Sequence, residues 1–170
     1  MVAAYLALGS NLGDREANIH EAVQRLGEKA VVHEVSSLYE TKPVGYAEQP
    51  DFLNAACRVS TALGPVELLR FLKTIEATMG RQPSFRNAPR PIDIDILFYG
   101  DVIVDSPELT IPHPRLTERA FVLVPLAEIA GDHRHPTSGE TVAALARRVN
   151  TGGVRLWRRR ANPESERGAD

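Results

Sequence analysis

A single cysteine, Cys57, stands in the 170 residues, which excludes an internal disulfide framework and leads us to expect a reducing compartment. Its neighbours Ala55, Ala56 and Val59 mark it as a small core residue rather than a nucleophile. No apolar run approaches the length that spans a bilayer, and Met1-Val2-Ala3-Ala4-Tyr5 lacks the basic and long apolar regions of a signal peptide. The expectation is a soluble, cytoplasmic protein with no membrane partner. A formal net charge of −2 gives no support to a general nucleic-acid binder. There is no P-loop, internal repeat or low-complexity array. The length predicts one domain, residues 1–150, large enough to bury roughly 70% of its unfolded surface, followed by a polar, mobile tail over residues 151–170.

What the chain does have is concentrated in Pro89-Arg90-Pro91-Ile92-Asp93-Ile94-Asp95-Ile96-Leu97-Phe98. Strict alternation predicts a β-strand with Ile92, Ile94 and Ile96 on its buried face and Asp93 and Asp95 together on the other. Carboxylates whose Cα atoms lie roughly 7 Å apart repel, and aspartate is a poor strand former, so the pair calls for compensation. A hard divalent cation such as Mg²⁺ supplies it, taking its remaining ligands from water and substrate phosphates. Arg90, between two stiffening prolines, is placed to meet an anion beside that metal. The competing reading is the solvated outer face of an edge strand.

Along the rest of the chain, Val2 to Leu8 reads as a buried strand, and Gly9-Ser10-Asn11-Leu12-Gly13-Asp14 as a turn and helix cap. Ile19, Ala22, Val23 and Leu26 then share one helical face. Val31 to Thr41 and Phe52 to Thr61 are predicted strands, joined by the long loop Lys42 to Pro50. Gly64-Pro65 opens a second helix, striped by Leu68, Leu69, Leu72, Ile75 and Met79 and ended by Gly80. The loop Arg81 to Pro91 holds Arg81, Arg86 and Arg90 with no acid among them, and is expected to close over a bound polyanion. A short strand at Val102 to Val104 follows the turn at Gly100. His113 sits between two prolines, an apolar helix runs to Ile129, and a last helix over Thr141 to Arg148 is capped from Thr137 to Glu140. The order β-α-β-β-α-β-β-α-α predicts an α+β sandwich of the ferredoxin-like kind, with a mixed, mainly antiparallel sheet and helices on one face.

This inventory suits handling of a Mg²⁺-bound polyphosphate. It leaves open a non-catalytic ferredoxin-like module binding RNA or a small ligand, and a two-metal phosphodiesterase. Four blocks resolve the choice by resemblance: Gly9-Ser10-Asn11-Leu12-Gly13, Gln49-Pro50-Asp51-Phe52-Leu53-Asn54-Ala55, Arg90 to Leu97, and Ile111-Pro112-His113-Pro114-Arg115 continuing to Leu123. In content, order and spacing they resemble the 6-hydroxymethyl-7,8-dihydropterin pyrophosphokinase family of folate biosynthesis.

The resemblance implies transfer of the pyrophosphoryl unit of ATP to the hydroxymethyl oxygen of a reduced pterin alcohol, releasing AMP, by a monomer with small-molecule substrates only. Asp93 and Asp95 match ligands of two Mg²⁺ ions, and with Arg81 and Arg90 form the implied catalytic set. Phe52 and Phe121 match an aromatic pair that sandwiches the pterin, Asn54 an amide that reads its edge, and Thr41 and Val44 further pocket positions. Arg81, Arg86, Arg90, His113 and Arg119 match positions facing the ATP phosphates, and Leu69, Lys73, Glu76, Ile96 and Thr110 match positions around the nucleoside. The chain departs from the family pattern at Asn87, where some members carry tryptophan, at Ala88, where glycine is usual, and in Gln82-Pro83-Ser84, where some add basic residues.

Overall fold

The computed structural model describes residues 1–43, 48–80 and 89–160. In chain order the elements are β1 (Val2–Ser10), α1 (Arg15–Leu26), β2 (Val31–Val35), β3 (Leu38–Thr41), β4 (Phe52–Thr61), α2 (Pro65–Thr78), β5 (Asp93–Tyr99), β6 (Val104–Asp105), β7 (Thr110–Ile111), a 3-10 turn at Leu116–Glu118, α3 (Ala120–Ala130), α4 (Val142–Arg148) and β8 (Val154–Arg158). The main sheet runs β5-β1-β4-β3-β8, with β2 also paired to β4, and all its pairings are antiparallel. Because β1 lies between β4 and β5, and β4 between β1 and β2, each βα-β pass joins strands of like direction that are separated by one antiparallel neighbour. That is the α+β, ferredoxin-like arrangement expected.

Strand alternation makes two unlike faces. Ala4, Leu6 and Leu8 of β1, Leu53, Ala55, Cys57 and Val59 of β4, and Ile94 and Ile96 of β5 form one continuous core with Ile19, Ala22 and Leu26 of α1 and Leu68, Phe71, Leu72 and Ile75 of α2. Each large apolar side chain buried this way contributes about 1.5–3 kcal/mol. On the other face Tyr5, Ala7, Ala56 and Phe98 meet Val122, Leu123 and Leu126 of α3 and Leu145 of α4. Helices therefore cover both faces, not the one expected, because Leu116, Val122, Leu123 and Leu126 form a second apolar set that needs its own sheet surface.

Local chemistry sets the element ends. The Asp14 carboxylate accepts from the Ala17 N–H at 3.1 Å to cap α1, and the Glu67 carboxylate accepts from the Gly64 N–H at 3.2 Å ahead of Pro65 in α2. Thr141 itself caps α4, accepting from the Ala144 N–H at 3.1 Å, rather than residues 137–140.

Three further expectations are corrected. The run Val31 to Thr41 is two strands, broken at buried Ser36 and Ser37. The Ser36 hydroxyl accepts from the Ala56 N–H at 2.9 Å, a role the ladder would otherwise give to a carbonyl, and Ser37 donates to the Glu128 carboxylate through its N–H at 3.0 Å. The short strand expected at residues 102–104 starts at Val104 and pairs with β7, leaving Val102 and Ile103 exposed. The polar end from Thr151 is not a tail throughout: β8 pairs with β3 and extends the domain beyond residue 150. Arg155, Arg158 and Arg160 are tied down by Glu40, Glu16, Glu34 and Glu128. Residues 161–170 lie outside those described. No described helix is long and apolar enough to cross a membrane.

Candidate active site

On the second face the sheet changes character toward the β3 end. The register places Asn54, Gly9 and Asp93 in one row across β4, β1 and β5, and Ala56, Ala7 and Asp95 in the next. β1 contributes only a glycine and an alanine there, so the floor is low where the neighbouring strands carry their functional side chains. A Cβ on Gly9 would lie 3.2 Å from the Asn54 Oδ1 and 3.5 Å from the Phe52 Cδ1, which is the steric reason for glycine. Residues 113–119 and the start of α3 wall the space, leaving a cavity of about 340 Å³. Its lining includes Ala7, Gly9, Thr41, Lys42, Phe52, Asn54, Lys73, Arg90, Asp93, Asp95, His113, Arg115, Arg119 and Phe121.

The electrostatics follow from that crowding. Burial first, then the charges of Asp93 and Glu76, push the Asp95 carboxyl up to about 7, against the pull of Arg119 and Lys73. Arg90 reaches the Asp93 carboxylate at 3.2 Å. Beneath β5, the buried Glu76 carboxylate accepts the Ile94 N–H at 2.9 Å and lies 3.9 Å from the Lys73 ammonium, bracing the strand between the two aspartates. His113 is pushed down, by burial before the positive charge of Arg119, with Asp93 opposing. Its Nδ1 accepts from the Arg115 N–H at 3.2 Å, so the neutral ring carries its hydrogen on Nε2. Burial also pushes the Cys57 thiol up to about 12, in keeping with a core role.

Among the described residues, no group of three or more His, Cys, Asp and Glu side chains could hold a metal ion unaided. Two hard carboxylates on one strand do fit a cation of the Mg²⁺ type, which needs only one or two such ligands when substrate phosphates and water complete its shell. The compensation that Asp93 and Asp95 call for is therefore available.

The structure brings together most of the residues picked out by sequence. Asp93, Asp95, Arg90, Lys73, His113 and Arg119 line the cavity, as do Thr41, Phe52, Asn54 and Phe121. Thr41 pairs with Phe52 across the strands, its hydroxyl accepts from the Asn54 amide at 2.7 Å, and the Arg119 guanidinium lies 5.5 Å from the Phe121 ring centre. Leu69, Glu76, Ile96 and Thr110 are not in the lining: Ile96 belongs to the first core, Leu69 packs against it, Glu76 supports β5 from below, and Thr110 is exposed in β7. Val44, Arg81 and Arg86, and the expected closing loop through residue 88, lie outside the described residues.

Sequence reasoning missed Gly9, Lys42 and Arg115 as lining residues. Gly9 was legible only as part of a turn motif, Lys42 as the residue after Thr41, and Arg115 as the flank of His113. The Gly-Ser-Asn turn serves as a bracket. The Asn11 amide donates to Gln49 Oε1 at 2.7 Å and to the Pro50 carbonyl at 3.1 Å, and its Oδ1 accepts the Arg90 N–H at 2.8 Å. Asn11 thus ties Arg90 to the loop that leads into β4.

Comparison with known proteins points the same way. Residues 5–131 match the model of the 7,8-dihydro-6-hydroxymethylpterin-pyrophosphokinase family. The chain is 44% identical over 161 residues to 2-amino-4-hydroxy-6-hydroxymethyldihydropteridine pyrophosphokinase of Bacillus subtilis, covering 93% of this chain and 92% of that one. It is 47% identical over 149 residues to a folic acid synthesis protein of Dictyostelium discoideum, covering 88% of this chain but 23% of the relative, so it spans about a quarter of that longer protein. A crystal structure of the Plasmodium falciparum HPPK-DHPS protein with pteroate superposes with a TM-score of 0.68 at 20% identity, over 86% of this chain and 42% of that one, a likeness of fold. With a family match to about three quarters of its length and a near full-length bacterial relative, the chain belongs to the 7,8-dihydro-6-hydroxymethylpterin-pyrophosphokinase family.

Proposed function

We propose that this chain transfers the β,γ-pyrophosphoryl group of ATP to the hydroxymethyl oxygen of 6-hydroxymethyl-7,8-dihydropterin, releasing AMP, as a step of folate biosynthesis. The observation that carries the reading is one cavity lined both by a paired carboxylate, Asp93 and Asp95, and by Phe52, Phe121 and Asn54, residue types that suit a flat ring. A planar heteroaromatic needs π-faces and a group that both donates and accepts, and the phenyl rings and the amide supply them. Lys73, Arg90, Arg115 and Arg119 supply the positive charge that a triphosphate requires.

Asp93 and Asp95 would hold two Mg²⁺ ions, whose chemistry when bound is to neutralise phosphate charge and to lower the pKa of the accepting hydroxyl. The protein's own work is positioning. In the reaction the hydroxymethyl oxygen forms a bond to the β-phosphorus, the bond from that phosphorus to the α,β-bridging oxygen breaks, AMP departs with the bridging oxygen, and the hydroxyl proton is released. Asn54, fixed by Thr41, and the two phenyl rings orient the pterin so that its alcohol meets the phosphates in line. Arg90 and Arg119 meet the transferred group, and His113, neutral with its hydrogen on Nε2, donates to a phosphate oxygen without adding a proton that must later be lost. The working unit in this proposal is a single chain in the cytoplasm.

Incubation with ATP, Mg²⁺ and the reduced pterin alcohol tests the assignment: AMP and pyrophosphorylated pterin are expected in equal amounts, with little ATP consumed when the pterin is omitted. ADP as the main product, or pterin-independent hydrolysis, would replace the reading with a kinase or a two-metal phosphodiesterase.

A further inference from the structure

The ring-binding end of the cavity is held from behind by residues that do not line it. One nitrogen of Arg15, Nη1, donates to the Glu40 carboxylate at 2.8 Å and to the Asp51 carbonyl at 2.8 Å. Arg155 of β8 bonds the other oxygen of Glu40 and reaches the Asp51 carboxylate at 3.2 Å. The Trp157 ring covers the Arg15 guanidinium at 4.9 Å. Glu40 and Asp51 immediately precede Thr41 and Phe52, which pair across β3 and β4 and line the cavity. Between those two acids the chain leaves the sheet for the loop that begins at Lys42, and β3 and β4 share only three register pairs below it. Asn54 is also held by Gly9 of β1, so without a clamp at its stems that short ladder would leave Thr41 at the end of β3 freer to shift against Phe52 and Asn54 of β4.

We infer that Arg15, with Arg155 and Trp157 of the C-terminal strand, positions the pterin end of the cavity, so that β8 supports the substrate site from outside its lining although it lies beyond the family-matched residues 5–131. The inference rests on the pterin reading proposed above. Arg15 and Glu40 are 20% and 15% exposed at the side chain, against 60% for Arg155, so the Arg15 bonds are the less screened and carry the larger share. The two arginines and two acids are charge-balanced, which suits a brace rather than an anion site.

The test measures pterin affinity in the presence of Mg²⁺ and a saturating non-hydrolysable ATP analogue. Arg15→Met is expected to weaken pterin binding roughly tenfold, the scale of a lost charge-assisted hydrogen bond, and to raise the KM for pterin in step. The kcat and the affinity for the ATP analogue stay close to wild type. Arg155→Met follows in the same direction with a smaller effect, and Arg15→Lys falls between wild type and Arg15→Met. Should Arg15→Met fail to fold, Arg155→Met and Trp157→Ala carry the same comparison. Unchanged pterin affinity in folded variants overturns the inference, as does a parallel fall in both affinities with the melting temperature, the mark of a merely structural clamp. A wild-type chain that binds no pterin removes the functional reading and this inference with it; a wild type and Arg15→Met that bind pterin equally remove the inference alone.

Discussion

Replacing Asp95 by asparagine should stabilise the metal-free protein and abolish its activity. Burial, followed by the Asp93 and Glu76 charges, lifts the Asp95 carboxyl from 3.8 to about 7. Between those values the folded state keeps a proton that the unfolded chain has released, so metal-free stability falls as pH rises through the window and levels off above about 7. A rise of roughly three units, at about 1.4 kcal/mol each, bounds the cost at about 4 kcal/mol. The amide also loses solvation in the same place, which leaves a net gain on the order of 2 kcal/mol for Asp95→Asn at pH 8. For a domain of this size that is a melting temperature higher by roughly 4–8 °C. Thermal unfolding in EDTA at pH 8, 6 and 4 should show the variant above wild type at pH 8 and the gap closing toward pH 4. Mg²⁺ with a non-hydrolysable ATP analogue should then raise the wild-type melting temperature and barely move the variant, because the cation offsets the repulsion that the substitution removes. A variant less stable than wild type in EDTA at pH 8, or a gap indifferent to pH, would refute the reasoning.

Gly9→Ala should keep the fold but push its new methyl against the Asn54 Oδ1, 3.2 Å away on an amide whose nitrogen donates to Thr41, lowering pterin affinity about tenfold while leaving the ATP analogue's binding intact. Titration with the two ligands separately checks it. Phe121→Ala should weaken pterin binding by about 1–3 kcal/mol, the scale of stacking on an aromatic ring; a lower melting temperature with unchanged affinity would make Phe121 a core residue instead. Asn11→Ala removes the acceptor of the Arg90 N–H and the donor to Gln49 and the Pro50 carbonyl, and should cost about 2 kcal/mol of stability in denaturant unfolding.

The parts of this molecule that were legible in the sequence are those where a local pattern has one physical solution. Alternating Ile and Asp in residues 92–96 has to be a strand with the carboxylates on one face, whereas Phe52 and Asn54 were picked out only by the resemblance to a known family. The helices α1 and α2 were legible from their stripes and caps. What was not legible depends on partners distant in sequence. The strand β8 reads locally as a polar tail, because the bonds that hold Arg155, Arg158 and Arg160 come from Glu40, Glu16, Glu34 and Glu128. The break at Ser36 and Ser37 likewise depends on Ala56 and Glu128. Ile96 continues the face of Ile94 and so packs in the core, away from the aspartates, as strand periodicity requires. Glu76 acts on the site through the Ile94 amide, a contact that spans 18 residues and has no local signature.

The central claim is that both outer phosphoryl groups of ATP move as one unit to the pterin alcohol. ATP carrying distinguishable labels on its β- and γ-phosphorus, incubated with Mg²⁺ and the reduced pterin alcohol, decides it in a single turnover. Both labels should appear on the pterin in equal amounts and none on the nucleotide product. Transfer of the γ label alone, or release of either label to water at the same rate without pterin, would contradict the account.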